Sequence, residues 1–186
     1  MTRAIMVVDA PPAATPFATS SGLRRLGAWL IDYFLVAVWL GLVFFVAFVV
    51  TGGKLEIAGM ASPASKQLVS ALLLMMPVLV YFVIAEASSW QGTIGKRATR
   101  LQVTDVALRR IGIGRSVTRT SLKFLPWELA DTFIHRIPET GDIPWSAWAF
   151  LIAAVLLLAA YVGGMFVGSR RPIYDVLSGT RVVSVP

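Results

Sequence analysis

A single aspartate inside a long apolar segment is the feature that most constrains how this chain folds. From Ala28 to Val50 the sequence has 23 residues and one charged side chain, Asp32. A helix of that length crosses the ~30 Å hydrocarbon core of a bilayer. A carboxylate within it costs roughly 2.5–3.5 kcal/mol near the centre, so it persists only where it is paired or used. The segment therefore predicts an integral membrane protein in which Asp32 has a structural or a functional role.

Two arginines stand directly before this segment. Arg25 precedes Asp32 by seven residues, which is two helical turns, so both side chains lie on one helix face. Arg24 and Arg25 next to a span favour a cytoplasmic N-terminus. Residues 1–22 are rich in Ala, Pro, Thr and Ser without periodicity, which predicts a disordered cytoplasmic tail.

The composition favours a membrane protein and excludes other classes. The chain is 56% hydrophobic and has a mean hydropathy of +0.73. It has no cysteine, which excludes a disulfide framework, a thiolate metal site and a cysteine nucleophile. Its net charge of +7 fits basic cytoplasmic loops, so we expect membrane lipid rather than nucleic acid as its partner, and no cofactor.

Two more apolar segments and one polar segment follow. Residues 68–86 contain Pro77, which predicts a kink, and residues 145–168 carry no charge. Residues 115–136 place cations on one face and acids on the opposite face of a helical wheel, and the faces switch at Pro126. This pattern predicts two short helices or one kinked helix. It is either an interfacial amphipathic helix or a polar crossing that lines a path.

The distribution of Lys and Arg favours four crossings. With spans at about 28–50, 68–86, 115–136 and 145–168, 14 of the 17 cations are cytoplasmic and 3 are outside. Three crossings would leave Arg170, Arg171 and Arg181 outside. We therefore expect an all-α domain over residues 23–186, with three strongly apolar helices, one polar and kinked helix, and both termini in the cytoplasm.

The loop at residues 87–113 contains a glycine-rich motif and a strand pattern. The motif residues are Gly92, Thr93, Gly95 and Lys96, but the spacing is not that of a phosphate-binding loop, because Trp90 and Arg97 occupy the diagnostic positions. Leu101 and Val103 alternate with polar residues, and residues 180–185 are rich in β-branched side chains. The two stretches predict a small cytoplasmic β element.

Three motifs together resemble the RDD family of prokaryotic membrane proteins, named for one arginine and two aspartates. They are residues 24–32 (RRLGAWLID), residues 91–97 (QGTIGKR) with Leu101-Gln102-Val103, and residues 174–183 (YDVLSGTRVV). The similarity covers about residues 23–185 and has the motifs in the family's order. It implies a protein of the prokaryotic cytoplasmic membrane, and sodium–proton antiport has been attributed to some members.

The resemblance also assigns individual residues. It implies that Arg25 is the family arginine, that Asp32 and Asp175 are its aspartates, and that Arg119 is the arginine found early in the following helix. The family commonly has histidine before its last aspartate, and this chain has Tyr174 there. A role that requires a titrating imidazole at this position is therefore doubtful.

Two functions remain open on the sequence alone. The first is a small cation/proton transporter whose pathway uses Asp32, Glu128 or Asp131; four crossings barely enclose a path, so a homo-oligomer is expected. The second is a non-catalytic accessory or scaffold subunit of a membrane complex, in which Arg25 and Arg119 are structural ion-pair partners.

An enzyme is not expected. His135 has no nucleophile at a recognisable spacing. Glu128, Asp131 and His135 match no standard metal motif, so no metal site is predicted. Asp175 is expected to pack against Arg97, Arg100 or Arg119, and Asp32 either titrates or pairs with Arg25 or Arg119.

Overall fold

Long apolar helices dominate the computed structural model, which describes residues 18–53, 62–167 and 170–185. Among these residues, three helical stretches are long and apolar enough to cross a membrane: Gly22–Val50, Gln67–Ala87 and Trp145–Gly163. The three predicted apolar spans are thus present. Two of their bounds differ from the prediction: the first apolar helix begins before residue 28, and the third ends before residue 168.

Helix α1 (Gly22–Val50) has a defined start and a defined end. Ser21 caps its N-terminus by accepting a hydrogen bond from the amide of Arg24. At the other end, Gly52 and Gly53 adopt positive φ angles of 63° and 85°, which turn the chain away. At 1.5 Å per residue the helix is about 44 Å long, so it exceeds the thickness of the hydrocarbon core.

The second apolar stretch contains a widened turn. Helix α2 (Pro63–Ser70) leads into a π-helical segment (Ala71–Met75) and then into α3 (Met76–Ala87). The amide of Met76 donates to the carbonyl of Ala71, five residues earlier. Pro77, where the sequence predicts a kink, follows directly and has no amide hydrogen to donate. The helix therefore changes its winding next to the proline.

Helix α5 (Ile113–Ile134) is one helix with Pro126 inside it, so of the two predicted alternatives the structure has the single helix and not two short ones. Two cations of its first half are buried rather than solvated: Arg119 and Lys123 belong to its buried face, which packs against α3. The hydroxyl of Tyr161 on α6 (Trp145–Gly163) donates a 2.7 Å hydrogen bond to the carbonyl of Leu122. The many contacts of α5 with α3 and α6 compensate for the break that a proline would otherwise favour.

A small antiparallel sheet covers one end of the helices. Its strands are β1 (Ala18–Thr19), β2 (Leu101–Asp105) and β3 (Thr180–Ser184), in the order β1-β3-β2. The predicted pairing of β2 with β3 is present, with Val103 opposite Val182. These two valines are buried with Leu101, Ile111 and Ala28 of α1, so the sheet and α1 share a core.

Strand β1 corrects the predicted boundary of the N-terminal tail. Residues 1–17 of that tail lie outside the described residues. Within residues 18–22, Ala18 and Thr19 pair with β3 and Gly22 begins α1. The tail therefore ends earlier than the composition suggests.

Two short helices complete the fold. Helix α4 (Ile94–Ala98) packs against α1, and α7 (Ile173–Leu177) packs against α5. Both belong to segments that the motifs single out. They place the motif side chains at the end of the helices that the sheet covers.

Candidate functional site

Seven charged residues from five helices meet in what we call the buried charge cluster. Each has at most 8% of its surface exposed. The cluster has four cations and three carboxylates: Arg25, Lys96, Arg119 and Lys123, with Asp32, Glu86 and Asp175. Buried charges of this kind require partners, because each isolated charge loses its hydration.

Arg119 on α5 lies at the centre of the buried charge cluster. Its Nε is 2.7 Å from Asp175 Oδ1 on α7, and its Nη1 donates to Glu86 Oε2 at the end of α3. Lys96 Nζ on α4 lies 2.6 Å from the other oxygen of Glu86. Among the three partners proposed for Asp175 on the sequence, Arg119 is the one that contacts it. Four helices are joined by these charged hydrogen bonds.

Arg25 connects α1 to the sheet. Its Nε donates to Ser20 Oγ at 2.6 Å, and its Nη2 donates to the carbonyl of Val182 at 2.9 Å. Its Nη1 lies 3.7 Å from Asp175 Oδ2. Arg25 and Asp175 are therefore neighbours, although 150 residues separate them in the sequence.

Asp32 accepts hydrogen bonds from the glycine-rich loop rather than from an arginine. Thr93 Oγ1 donates to Oδ2 at 2.5 Å, and the amide of Gly95 donates to Oδ1 at 2.9 Å. The predicted pairing with Arg25 or Arg119 is wrong, because those guanidinium groups are turned toward the sheet, Glu86 and Asp175. Asp32 thus fixes the N-terminus of α4 against α1.

The glycine-rich motif is explained by this contact. Thr93 caps α4, and a Cβ at Gly92 would lie 3.2 Å from the carbonyl oxygen of Leu101. Lys96 extends from α4 to Glu86. The motif is therefore a docking loop that carries one cation of the buried charge cluster.

Lys123 is the member of the buried charge cluster with the weakest partners. Among the described residues, no carboxylate oxygen lies within 4.0 Å of its Nζ. The ammonium instead lies 3.7 Å from the centre of the Phe82 ring. It lines an inner cavity of about 30 Å³ together with Arg25, Asp32, Lys96, Arg119 and Tyr174.

Glu128 and Asp131 lie elsewhere, at a larger cavity that we call the membrane cavity. It has a volume of about 400 Å³ and is bounded by α1, the π-helical segment and α5. Most of its lining is apolar. Asp131 accepts a 3.0 Å hydrogen bond from Ser70 Oγ and lies 3.3 Å from His135 Nδ1. The structure therefore separates Asp32 from the other two candidate pathway residues.

Among the described residues that lie outside the apolar spans and α5, two ionisable groups have shifted pKa values. The amide of Arg109 donates a 2.8 Å hydrogen bond to Asp105 Oδ1, which lowers the pKa of that carboxyl group. Burial raises the pKa of the Tyr174 phenol. The tyrosine at the usual histidine position therefore stays protonated near neutral pH, and its ring lies edge-on against Tyr161.

Sequence reasoning missed two members of the buried charge cluster. The hydropathy pattern places Glu86 only at the end of the span over residues 68–86, and the helical wheel places Lys123 only on the cationic face of residues 115–136. The signal available for Glu86 was its position as the single acid ending an apolar run, in a chain with many cations. No group of three or more His, Cys, Asp or Glu suited to a metal ion occurs among the described residues.

Three apolar helices of membrane-spanning length, two of which carry members of the buried charge cluster at one end, indicate a membrane protein. The sequence model of the RDD family matches residues 19–179, and the chain belongs to this family. The matched range includes Arg25, Asp32, Arg119 and Asp175. No curated protein and no solved structure matches the chain.

Proposed function

We propose that this protein is a small transporter of the prokaryotic cytoplasmic membrane that exchanges a cation for protons. The observation that carries the proposal is the membrane cavity, in which two carboxylates border a largely apolar space between three helices. It extends next to a π-helical segment, a local structure that occurs frequently at functional sites.

The chemistry of the membrane cavity suits exchange. Glu128 and Asp131 are three residues apart on α5, so they lie on one face of the helix. Where water is scarce, a carboxylate is stable either beside a cation or with a proton bound. A cation that enters the cavity and a proton that replaces it would then occupy the same two groups in turn.

Aromatic side chains separate the membrane cavity from the buried charge cluster. Phe124 lines the cavity, and its ring meets Phe82 at 5.1 Å in an edge-to-face contact. Phe82 is the ring beneath Lys123 Nζ. Trp127 Nε1 donates a 2.8 Å hydrogen bond to Tyr33 Oη at the same wall. This layer would act as the closed side of the pathway.

The proposal includes a fourth crossing by α5. The helix has 22 residues, about 33 Å at 1.5 Å per residue, which matches the hydrocarbon core. Crossing at α5 would place both termini in the cytoplasm and the buried charge cluster at the cytoplasmic end of the helices, and it would leave 3 of 17 cations outside.

Cysteine labelling tests this topology, because the chain has no native cysteine. A cysteine introduced by Asp142→Cys should react with an impermeant maleimide from outside intact cells. The control, Arg109→Cys, replaces a side chain that is 77% exposed and should react only after permeabilisation. The reverse pattern at Asp142 would exclude four crossings with the N-terminus inside.

Flux through proteoliposomes that contain only this protein tests transport. An imposed cation gradient should move protons, and the double variant Glu128→Gln, Asp131→Asn should abolish this movement. Glu139→Gln is the matched control, because it removes one exposed carboxylate from the loop after α5. Equal flux in the double variant and the wild type would exclude the membrane cavity as the pathway.

The alternative is a non-catalytic accessory or scaffold subunit, and one observation favours it. Each carboxylate of the buried charge cluster accepts a hydrogen bond from another helix, which is the arrangement expected if these groups only hold the helices together. Folded protein without flux, which cross-links in cells to itself or to another membrane protein, would support this function. In neither case do we propose an enzymatic reaction.

A further inference from the structure

With every side chain in its ordinary ionisation state, the buried charge cluster has one more positive than negative charge. Four cations face three carboxylates, and Lys123 is the cation without a carboxylate within 4.0 Å in the described part of the chain. An aromatic ring attracts an ammonium group but does not cancel its charge. A buried ammonium in this position is stable only beside a further source of negative charge, since it otherwise loses its proton.

Arg25 also has unused hydrogen-bonding capacity. Its side chain is 94% buried, since 6% of its surface is exposed, and Nη1 has no hydrogen-bond partner within the described ranges. The nearest acidic oxygen, Asp175 Oδ2, is 3.7 Å away and likewise has no hydrogen bond. Arg25 and Lys123 border the same inner cavity.

The size of the inner cavity limits what it holds. Its volume is about 30 Å³, and a water molecule requires roughly 10–15 Å³ on this measure. The space therefore accommodates about two waters or one monatomic anion, and it excludes phosphate-sized groups. Of the five charged residues that line it, four are cations, and the oxygens of the fifth, Asp32, already accept hydrogen bonds from Thr93 and Gly95.

We propose that the inner cavity binds one chloride ion, with Lys123 Nζ and Arg25 Nη1 as its charged donors. The ion would neutralise the excess charge of the buried charge cluster. Because Lys123 belongs to α5 and Arg25 to α1, it would also join two helices that share no ion pair among the described residues. This site is separate from the membrane cavity and does not depend on transport.

Thermal melting of the purified protein in detergent tests the site. Sodium chloride should raise the Tm saturably, by about 5 °C or more, relative to sodium gluconate at the same ionic strength. Lys123→Met should remove the chloride response, and it should melt higher than the wild type in gluconate because the excess buried cation is gone. Lys123→Arg keeps a fixed charge and should keep the response.

Arg24→Met is the matched control. It removes an exposed cation adjacent in sequence to Arg25 and should respond to chloride as the wild type does. Equal Tm values of the wild type in chloride and gluconate would overturn the proposal, because Lys123 would then be neutral or hydrated. A chloride response that persists in Lys123→Met would overturn it as well.

If Lys123→Met does not fold, a measurement on the unmodified protein still tests the chloride site. Chloride exchanging with the site should broaden the ³⁵Cl NMR line of a dilute chloride solution, and excess bromide should reverse the broadening. No broadening above that of an equal amount of empty detergent micelles would exclude the site.

Discussion

The amide of Gly95 lies 2.9 Å from Asp32 Oδ1, and this contact exists because residue 95 has no side chain. A Cβ at Gly95 would lie 2.2 Å from the carbonyl oxygen of Ala28 and 2.8 Å from Asp32 Cγ. The backbone of α4 therefore approaches α1 more closely than any other residue would allow. Two motifs separated by more than 60 residues are one structural unit.

Gly95→Ala should destabilise the protein by about 1–3 kcal/mol, because α4 must move away from α1 to accommodate the methyl group. The loss should appear as a lower Tm in detergent. Gly114→Ala is the control, since nothing lies within 4 Å of its added Cβ and alanine is the better helix former. Equal melting of the two variants would contradict the close approach.

Asp32 and Thr93 should be energetically coupled. Asp32→Asn replaces a carboxylate that accepts two hydrogen bonds with an amide that has one acceptor oxygen, so one donor is left unsatisfied. Thr93→Val removes the hydroxyl donor. In a double-mutant cycle the combined loss should be smaller than the sum of the single losses by about 0.5–3 kcal/mol.

The same cycle separates the two roles of Asp32. A structural residue destabilises the protein when it is changed, whereas a transport residue leaves a folded protein without flux. An unchanged Tm for Asp32→Asn would oppose the structural role. So would a double variant whose loss of stability equals the sum of the two single losses. Thr118→Val, on the exposed side of α5, is a suitable control for the loss of a hydroxyl group.

The sequence predicts the parts of this fold that depend on local patterns. Hydropathy locates the three apolar helices, and β-branched alternation locates β2 and β3. Strand β1 escapes prediction because two residues carry no periodic signal and Ala18 pairs with a strand more than 160 residues away. The sequence leaves open whether α5 is one helix or two, because packing against α3 and α6, which decides against a break at Pro126, is not a local signal.

The partners within the buried charge cluster were harder to predict than its members. Helical geometry correctly places Arg25 and Asp32 on one face of α1, and both are buried. It does not determine which group each one contacts, because that depends on how α4, α7 and the sheet dock. Proximity in sequence favours an Arg25–Asp32 pair. In the structure, Arg25 donates a hydrogen bond to the sheet, whereas Asp32 accepts one from the glycine-rich loop.

Arg119→Gln should be one of the most destabilising single changes in the chain. It removes the partner that Glu86 and Asp175 share and leaves buried carboxylates with less compensation, a loss of about 3–5 kcal/mol for buried pairs. Arg115→Gln is the matched control on the same helix. Its ion pair with Asp105 is 52% exposed on the arginine side, so about 0–1 kcal/mol is expected.

Recovery of folded protein from the membrane, followed by thermal melting, measures both changes. The double variant Arg119→Gln, Glu86→Gln should lose less than the two single changes combined, because the second change removes an uncompensated charge. If Arg119→Gln melts within 1 °C of Arg115→Gln, the central position of Arg119 in the buried charge cluster is disproved.

Asp105 should make the stability of the protein depend on pH in the acidic range. Its pKa in the folded state is lowered by the amide of Arg109, relative to an unfolded value of about 3.9. A lowered folded pKa means that the stabilisation is complete above the unfolded value and disappears as the pH falls through the folded one. The Tm difference between the wild type and Asp105→Asn should therefore be constant from about pH 5 to 8 and should shrink below about pH 4. The control is Asp142→Asn, which changes an exposed loop residue and should melt like the wild type at every pH. A Tm difference between the wild type and Asp105→Asn that is equally large at pH 3 and pH 7 would contradict the assigned hydrogen bond.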